Sequence, residues 1–414
     1  MNRFKQLDIL RAVAVFLVSG SHMEVCPPES SVFLNHITRI WAVGGWIGVD
    51  LFFVLSGFLV SGLLFREHEK YHELHIGHFL IRRGLKIYPP FWLLIGFTVP
   101  FFLVKLSHEQ LPLGALVPVL ASELLFVQNY GWPMWNHTWS LAVEEHFYLL
   151  LAFGFFLLAR RRSAQPFALI PAAFISIALL CLTLRIVGAS HSAFTVKTHV
   201  EPSHLRLDSL FFGVLLAYAF HRHPIKFLSA AQRFRYLLAG IGVLLLLPAF
   251  YFPRHTPFIF TYGLTLFYLG SGCLLVAALG WQTPTTRMAS AVAYTGSHSY
   301  SVYLWHMPVA IVATAVISNW FIYAATYLIG SIAFGVGMAI LTEFPVLRIR
   351  DRLFPSRGAP LSYDATGPNN ALQRTGPDVT APASDPPPSP VIRVYDEAGN
   401  VIETHEHKGE FKEP

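Results

Sequence analysis

The most telling residues are ionisable side chains set inside long apolar runs. The segment LDILRAVAVFLVSGSHM holds Arg11 and His22, eleven positions apart. On an α-helix that spacing is three turns plus about 20°, so the two share a face about 16 Å apart along the axis. An imidazole there can accept a proton near neutral pH, and a buried cation on the same face can hold or stabilise negative charge. The plainer reading is a snorkelling arginine and an interfacial histidine, but Arg11 lies deep for that. GGWIGVDLFFVLSGFLVSGLL brings Asp50 close to the depth of His22, where it could orient or charge-stabilise the ring. Its Ser56, Gly57, Ser61 and Gly62 suit close helix packing.

Three more segments carry such residues. In NHTWSLAVEEHFYLL, Ser140, Glu144 and Tyr148 form one helical stripe, with Glu145 and His146 beside it. Two adjacent carboxylates and a histidine in a span are hard to explain by packing alone, though arginines of other spans could pair with them. HLRLDSLFFG places Arg206 and Asp208 to pair with each other or with Glu144. YTGSHSYSVYLWHMPV sets Ser299, Tyr303 and His306 at helical spacing, with Pro308 placed to kink the helix. His306 reads more readily as a hydrogen-bonded structural residue than as a catalytic one. Finally, FLIRRGLKIYPP puts Arg82, Arg83 and Lys86 just ahead of a span. They are either membrane anchors or a phosphate grip, with Arg83 and Lys86 facing one way on a helical turn.

The elements that position these residues follow from composition. Of 414 residues, 54% are hydrophobic and 13% charged, with 35 Phe and 9 Trp. A soluble globular chain carries roughly 25% charge. Mean hydropathy is +0.49. Soluble, disordered and collagen-like classes are excluded, and a polytopic membrane protein is expected. About 20 apolar residues span a bilayer. Ten segments qualify, near 8–25, 45–65, 88–105, 138–158, 166–187, 205–221, 236–252, 258–279, 298–318 and 322–342. An eleventh stretch, 111–128, is shorter. If it does not span and the N-terminus is cytoplasmic, nineteen Lys and Arg residues fall in inside segments and five outside. The positive-inside rule therefore makes 111–128 re-entrant or interfacial and both termini cytoplasmic. The expected fold is all-α: a bundle of about ten spanning helices over 1–354, then a mostly disordered cytoplasmic tail over 355–414.

The remaining features add little chemistry. Cys26, Cys181 and Cys273 lie far apart and form no CxxC pair or disulfide framework. The net charge of +6 is spread between apolar segments, which argues for membrane anchoring and against nucleic acid. The first span has no small-residue cleavage site and reads as retained. No P-loop, Rossmann glycine pattern, HExxH or GxSxG occurs, and no metal is expected. In the tail, Pro355–Pro390 is rich in Pro, Ala, Asp and Ser. A short hairpin is expected around Ala398-Gly399-Asn400, where His405 and His407 alone make a weak metal motif.

Together these segments resemble the acyltransferase-3 family of integral membrane acyltransferases. The matching blocks are LDILRAVAVFLVSGSHM, GVDLFFVLSGFLVSG, FLIRRGLKIYP, TWSLAVEEHFY, RLDSLFFGVLLA, YSVYLWHMPV and LTEFPVLRIR, in order over about residues 4–352. The resemblance implies ten transmembrane helices and O-acylation of extracytoplasmic glycans or glycosides in a bacterial inner membrane. It places the family's first-helix arginine and essential histidine on Arg11 and His22. It places the cytoplasmic Arg-x-x-Arg motif, linked to acyl-CoA, on Arg83 and Lys86; here lysine keeps the charge but loses the bidentate fork. The WSLxxE block falls on Trp139, Ser140, Leu141 and Glu144, and His146 stands where Gln or Trp is often found. Some relatives carry a fused extracytoplasmic SGNH domain. None is expected here, so transfer would be completed within the membrane domain.

The mechanism expected from this reading has acyl-CoA, most simply acetyl-CoA, bound near Arg82, Arg83 and Lys86, with its thiol arm in the bundle. His22 acts as general base or transient nucleophile. Asp50 or Glu144 holds its tautomer, and Arg11 binds the donor or stabilises negative charge. Trp139, Ser140, Tyr148, Asp208 and His306 are expected to contact substrate. The rival is a proton-coupled transporter of a small solute, in which the buried charges form a relay; no internal repeat supports it. A membrane sensor acting through its tail would leave Arg11, His22 and Glu144 unexplained.

Overall fold

The computed structural model describes residues 4–109, 112–161, 163–282 and 285–357, and the backbone of 391–395 and 401–406. It divides into two units, Lys5–Ala359 and a second formed by Met1–Phe4 with Pro360–Pro414.

The first unit is a bundle of helices. α1 (Lys5–Ser21) opens with Asp8 in its first turn, where a carboxylate complements the helix dipole. α2 (Val32–Gly44) is capped by the Ser31 hydroxyl, which accepts from the Leu34 N–H. One 3₁₀ turn joins it to α3 (Gly48–Tyr71), which ends at His72 in the left-handed region. α4 (Ile76–His108), α5 (Leu116–Leu124), α6 (Trp139–Ala159) and α7 (Ile170–His191) follow. After the single turn α8 (Val196–His199) come α9 (Leu207–Arg222), α10 (Pro224–Leu246) and the turn α11 (Pro248–Tyr251). α12 (Leu264–Leu279), α13 (Arg287–Ser297), α14 (Ser299–Val316), α15 (Trp320–Met338) and α16 (Phe344–Leu353) complete it.

Eight helical stretches are long and apolar enough to cross a membrane, and they coincide with eight of the ten expected spans. The other two expected spans form α1 and α9, the shorter helices of 17 and 16 residues. Both pack along α3. A Cβ on Gly57 of α3 would run into the Leu210 carbonyl and the Gly213 Cα of α9, so the paired glycines let these two backbones touch. The stretch 111–128 yields α5, nine residues long. At 1.5 Å per residue it is about 14 Å, half of a hydrocarbon core of about 30 Å, and it does not cross.

One boundary differs from expectation. Arg82, Arg83 and Lys86 were expected in a loop before a span starting at 88. Instead α4 is one helix of 33 residues that runs through Pro89, Pro90 and Pro100. Proline is tolerated in membrane helices because neighbouring groups satisfy the backbone that it frees. The Tyr300 hydroxyl, for instance, donates to the Ile87 carbonyl in this stretch. The three cations therefore stand on the spanning helix itself.

In the second unit β1 (Val391–Tyr395) pairs antiparallel with β2 (Val401–Glu406), Val391 opposite Glu406. This is the arrangement expected of a hairpin there, and His405 lies on β2 opposite Ile392. The turn at 396–400, His407 and the stretch 358–390 expected to be disordered lie outside the described residues.

Candidate active site

Two polar clusters sit toward opposite ends of α1. At its C-terminal end, in the turn that closes the helix, stands His22. Its Nδ1 lies 3.0 Å from the Val18 carbonyl and 3.3 Å from Nε2 of His306 on α14. His306 Nδ1 in turn lies 2.5 Å from the Tyr303 carbonyl. A carbonyl only accepts, so His306 donates through Nδ1 and offers Nε2 as an acceptor. His22 then donates through Nδ1, which leaves the lone pair of its Nε2 for chemistry. A third imidazole, His137, packs against His306 with ring centroids 5.1 Å apart. Its Nε2 lies 3.3 Å from the Leu304 carbonyl, and its Nδ1 is buried with no partner among the described residues. The Tyr303 hydroxyl donates to the His137 carbonyl at 2.5 Å and accepts from Ser140 at 2.7 Å.

These side chains border a small, partly open pocket lined by His22, His137, Tyr303, Trp46, Trp139 and Arg254. Aromatic side chains with a few convergent polar groups are the usual lining of a small-molecule site. Beside it, burial pushes the Glu201 carboxyl up to about 7, against the opposing pull of Lys197 and Arg254. Burial also lowers Arg254 to about 10, and it stays a cation at neutral pH.

The 134–138 turn that carries His137 is held by Glu123 of α5. This fully buried carboxylate accepts from the Met134 N–H at 2.6 Å and the Thr138 hydroxyl at 3.4 Å. Burial pushes its carboxyl up to about 7 despite those bonds.

The second cluster lies toward the N-terminal end of α1. Glu144 accepts from the Tyr148 hydroxyl at 2.6 Å, and Tyr148 accepts from Ser56 at 2.8 Å. The charges of Arg83, Arg11 and Lys86 act on Glu144. The Arg83 guanidinium lies 5.8 Å from the centroid of the Tyr148 ring, and Arg11 bonds Asp8 at 3.3 Å. The stripe Ser140–Glu144–Tyr148 thus runs from Tyr303 at one end to the Arg83 cluster at the other.

Several expected contacts are replaced by others. Asp50 does not touch His22: it is fully buried and pairs with Arg206 at 2.8 Å, with Ser209 adding a bond at 3.3 Å. Nor does Glu144 reach His22, since its hydroxyl and cation neighbours hold it at the other cluster. Arg206 and Asp208 pair neither with each other nor with Glu144. Asp208 meets Arg185 at 2.5 and 2.7 Å, fully buried, and so faces no pocket. Arg206 lies over the rings of Phe53 and Trp139. Arg82 leaves the other two cations and joins Asp351 of α16 at 3.0 Å and the Phe354 carbonyl. The Glu145 and His146 side chains meet Tyr88 and Ser203. The physical reason is common to all: a charge this deep takes the partner whose element packs beside it.

His137 and Arg254 were not singled out in the sequence. For His137 a signal exists: it continues the stripe of Ser140, Glu144 and Tyr148 one turn toward the N-terminus. For Arg254, in the link between α11 and α12, no local pattern announces it. Among the described residues, no three His, Cys, Asp or Glu side chains form a metal-ligating group.

Comparisons with known proteins point to one family. A family model described as an acyltransferase domain matches residues 4–342. The chain is 27% identical over 325 residues to a Staphylococcus aureus protein named "Putative O-acetyltransferase", covering 73% of this chain and 50% of that one. It is 27% identical over 339 residues to the "Peptidoglycan O-acetyltransferase OatA" of Listeria monocytogenes, covering 75% and 50%. A Bacillus subtilis relative, "Putative peptidoglycan O-acetyltransferase YrhL", is 27% identical over 338 residues, covering 75% and 49%. The chain spans about half the length of these relatives. No solved structure matches it.

Proposed function

The chain belongs to the acyltransferase-3 family, and from that premise we propose that it moves an acyl group, acetyl foremost, from acyl-CoA to a sugar hydroxyl. The donor binds at the cytoplasmic face of a bacterial inner membrane, and the acceptor is an extracytoplasmic glycan or glycoside. Both termini are cytoplasmic. The observation that carries this reading is the placement of the two clusters, three cations toward one end of α1 and an imidazole beside a pocket at the other.

Arg11, Arg83 and Lys86 hold the donor's phosphates, and Glu144 fixes Tyr148 and spaces the cations around them. The donor's long thiol arm then runs along the Ser140–Tyr148 stripe to the pocket. His22 Nε2 takes the proton of the acceptor hydroxyl as its oxygen attacks the thioester carbonyl. The tetrahedral adduct collapses, the carbon–sulfur bond breaks, and the imidazolium returns the proton to the departing thiolate. The Val18 carbonyl and His306, itself fixed by the Tyr303 carbonyl, together keep His22 in the needed tautomer, the part that a carboxylate plays in other enzymes. Asp50 and Asp208 act through packing, as buried partners of Arg206 and Arg185.

The test uses membrane vesicles with radiolabelled acetyl-CoA on the cytoplasmic face. Wild type is expected to place base-labile label in envelope glycans, and His22→Ala, matched for folded protein, is not. Equal labelling by both would remove His22 from the chemistry. Failure of every acyl-CoA to bind would remove the donor.

A further inference from the structure

We propose that the pocket beside His22 holds an acceptor subsite for a sugar carboxylate, built from Arg254, Trp46 and His137. The inference rests on the acyl-transfer reading for its direction, since it names the class of acceptor: a uronic-acid-type anionic sugar.

Three observations carry it. Arg254 lines the pocket and lies over the Trp46 ring, 5.2 Å from its centroid, and makes no ion pair among the described residues. Its charge acts on His22, so it stands close to the reacting centre. The acid whose charge acts on it, Glu201, is pushed up to about 7 by burial and so offsets its charge only partly. A half-buried cation without a paired anion is costly, and a carboxylate from outside would relieve that cost with two parallel hydrogen bonds. The second observation is a matched pair of orphans. Trp46 Nε1, a donor only, and His137 Nδ1, the acceptor position of a ring whose other nitrogen faces a carbonyl, belong to buried, pocket-lining residues and have no partner among the described residues. A polyhydroxylated ring satisfies both at once, accepting from Trp46 and donating to His137. The third is the aromatic lining of Trp46, Trp139 and Tyr303, flat surfaces suited to the C–H faces of a sugar ring. The donor's phosphates do not explain Arg254, because their cations gather around Glu144, at the other cluster.

The experiment measures binding separately from transfer. The full chain in lipid nanodiscs is titrated calorimetrically at pH 7.5 with methyl glucuronide and methyl glucoside, which differ only in carboxylate against hydroxymethyl. Wild type is expected to bind the glucuronide at least tenfold tighter. Arg254→Gln is expected to bind both equally weakly, Arg254→Lys to recover part of the preference, and Trp46→Phe to weaken both. Equal binding of the two glycosides, no binding of either, or a preference that survives Arg254→Gln would each overturn the proposal. Label transfer from acetyl-CoA is scored in the same preparations. A carboxylate preference without transfer to any acceptor would sink the acyl-transfer reading and leave the anion site standing. Transfer without the preference would do the reverse.

Discussion

His306 Nε2 lies 3.3 Å from His22 Nδ1, and among the described residues no carboxylate reaches the His22 ring. The His22 Nδ1–H is held by the Val18 carbonyl at 3.0 Å and by another imidazole, itself fixed by the Tyr303 carbonyl at 2.5 Å. This arrangement commits Nδ1 to donation and leaves Nε2 to take the hydroxyl proton.

Replacing His306 tests that relay. His306→Ala is expected to lower kcat for acetyl transfer by about 10²–10³ with little change in the KM for acetyl-CoA, whose grip is remote. His306→Gln, which can still accept from His22, is expected to lose less. Labelling assays with the variants matched for folded protein give the comparison. An His306→Ala enzyme with wild-type kcat would show that His22 needs no such support.

The Asp50–Arg206 pair is predicted to be structural. Both side chains are fully buried, 2.8 Å apart, so Asp50→Asn leaves a cation without its partner. Breaking such a pair costs about 3–5 kcal/mol. Removing both with Asp50→Leu and Arg206→Met is expected to cost less than the sum of the singles. Thermal unfolding in detergent reads both effects. If Asp50→Asn melted like the wild type yet lost transfer, Asp50 would have a place in the chemistry after all.

How much of this was legible in the sequence depends on the range of the interaction. Arg11 with His22, and Ser140 with Glu144 and Tyr148, are local spacings on single helices, and helical geometry fixes them. The spans follow from apolar length, which is why eight of ten recur as crossing helices. Partners across helices are another matter. Asp50 with Arg206, Asp208 with Arg185 and Arg82 with Asp351 each join residues far apart in sequence. No periodicity encodes which helix lies beside which. His137 was missed because it precedes its span, and Arg254 because a lone arginine in a link looks like an ordinary surface charge.

At the donor end, Arg83→Ala is expected to raise the KM for acetyl-CoA about tenfold or more, the loss of a charge-assisted contact, with a smaller effect on kcat. Lys86→Arg restores a bidentate fork and is expected to lower that KM. Arg82→Ala should act differently, because Arg82 is tied to Asp351 and Phe354 of the α16 region. Its expected effect is on stability, with KM preserved. Initial rates over a range of acetyl-CoA concentrations separate the three. A KM change for Arg82→Ala as large as that for Arg83→Ala would put all three cations back in one grip.

Glu123 gives the pH dependence. Its carboxyl is pushed from an ordinary 4.5 to about 7 by burial. The folded protein therefore keeps a proton that the unfolded chain releases above pH 4.5. The stability from this group is fully present below that pH and is lost as the pH rises through about 7. The shift corresponds to about 3 kcal/mol by pH 8. Because Glu123 holds the turn that carries His137, the loss should loosen the pocket wall first. The melting temperature in detergent is expected to be higher at pH 5.5 than at pH 8.5. Glu123→Gln mimics the protonated acid, so most of that difference should vanish in the variant. Glu201, half-buried and titrating in the same range, leaves a small remainder. A Glu123→Gln protein with the wild-type pH slope would show that Glu123 is already ionised in the fold, held by the Met134 N–H and the Thr138 hydroxyl alone.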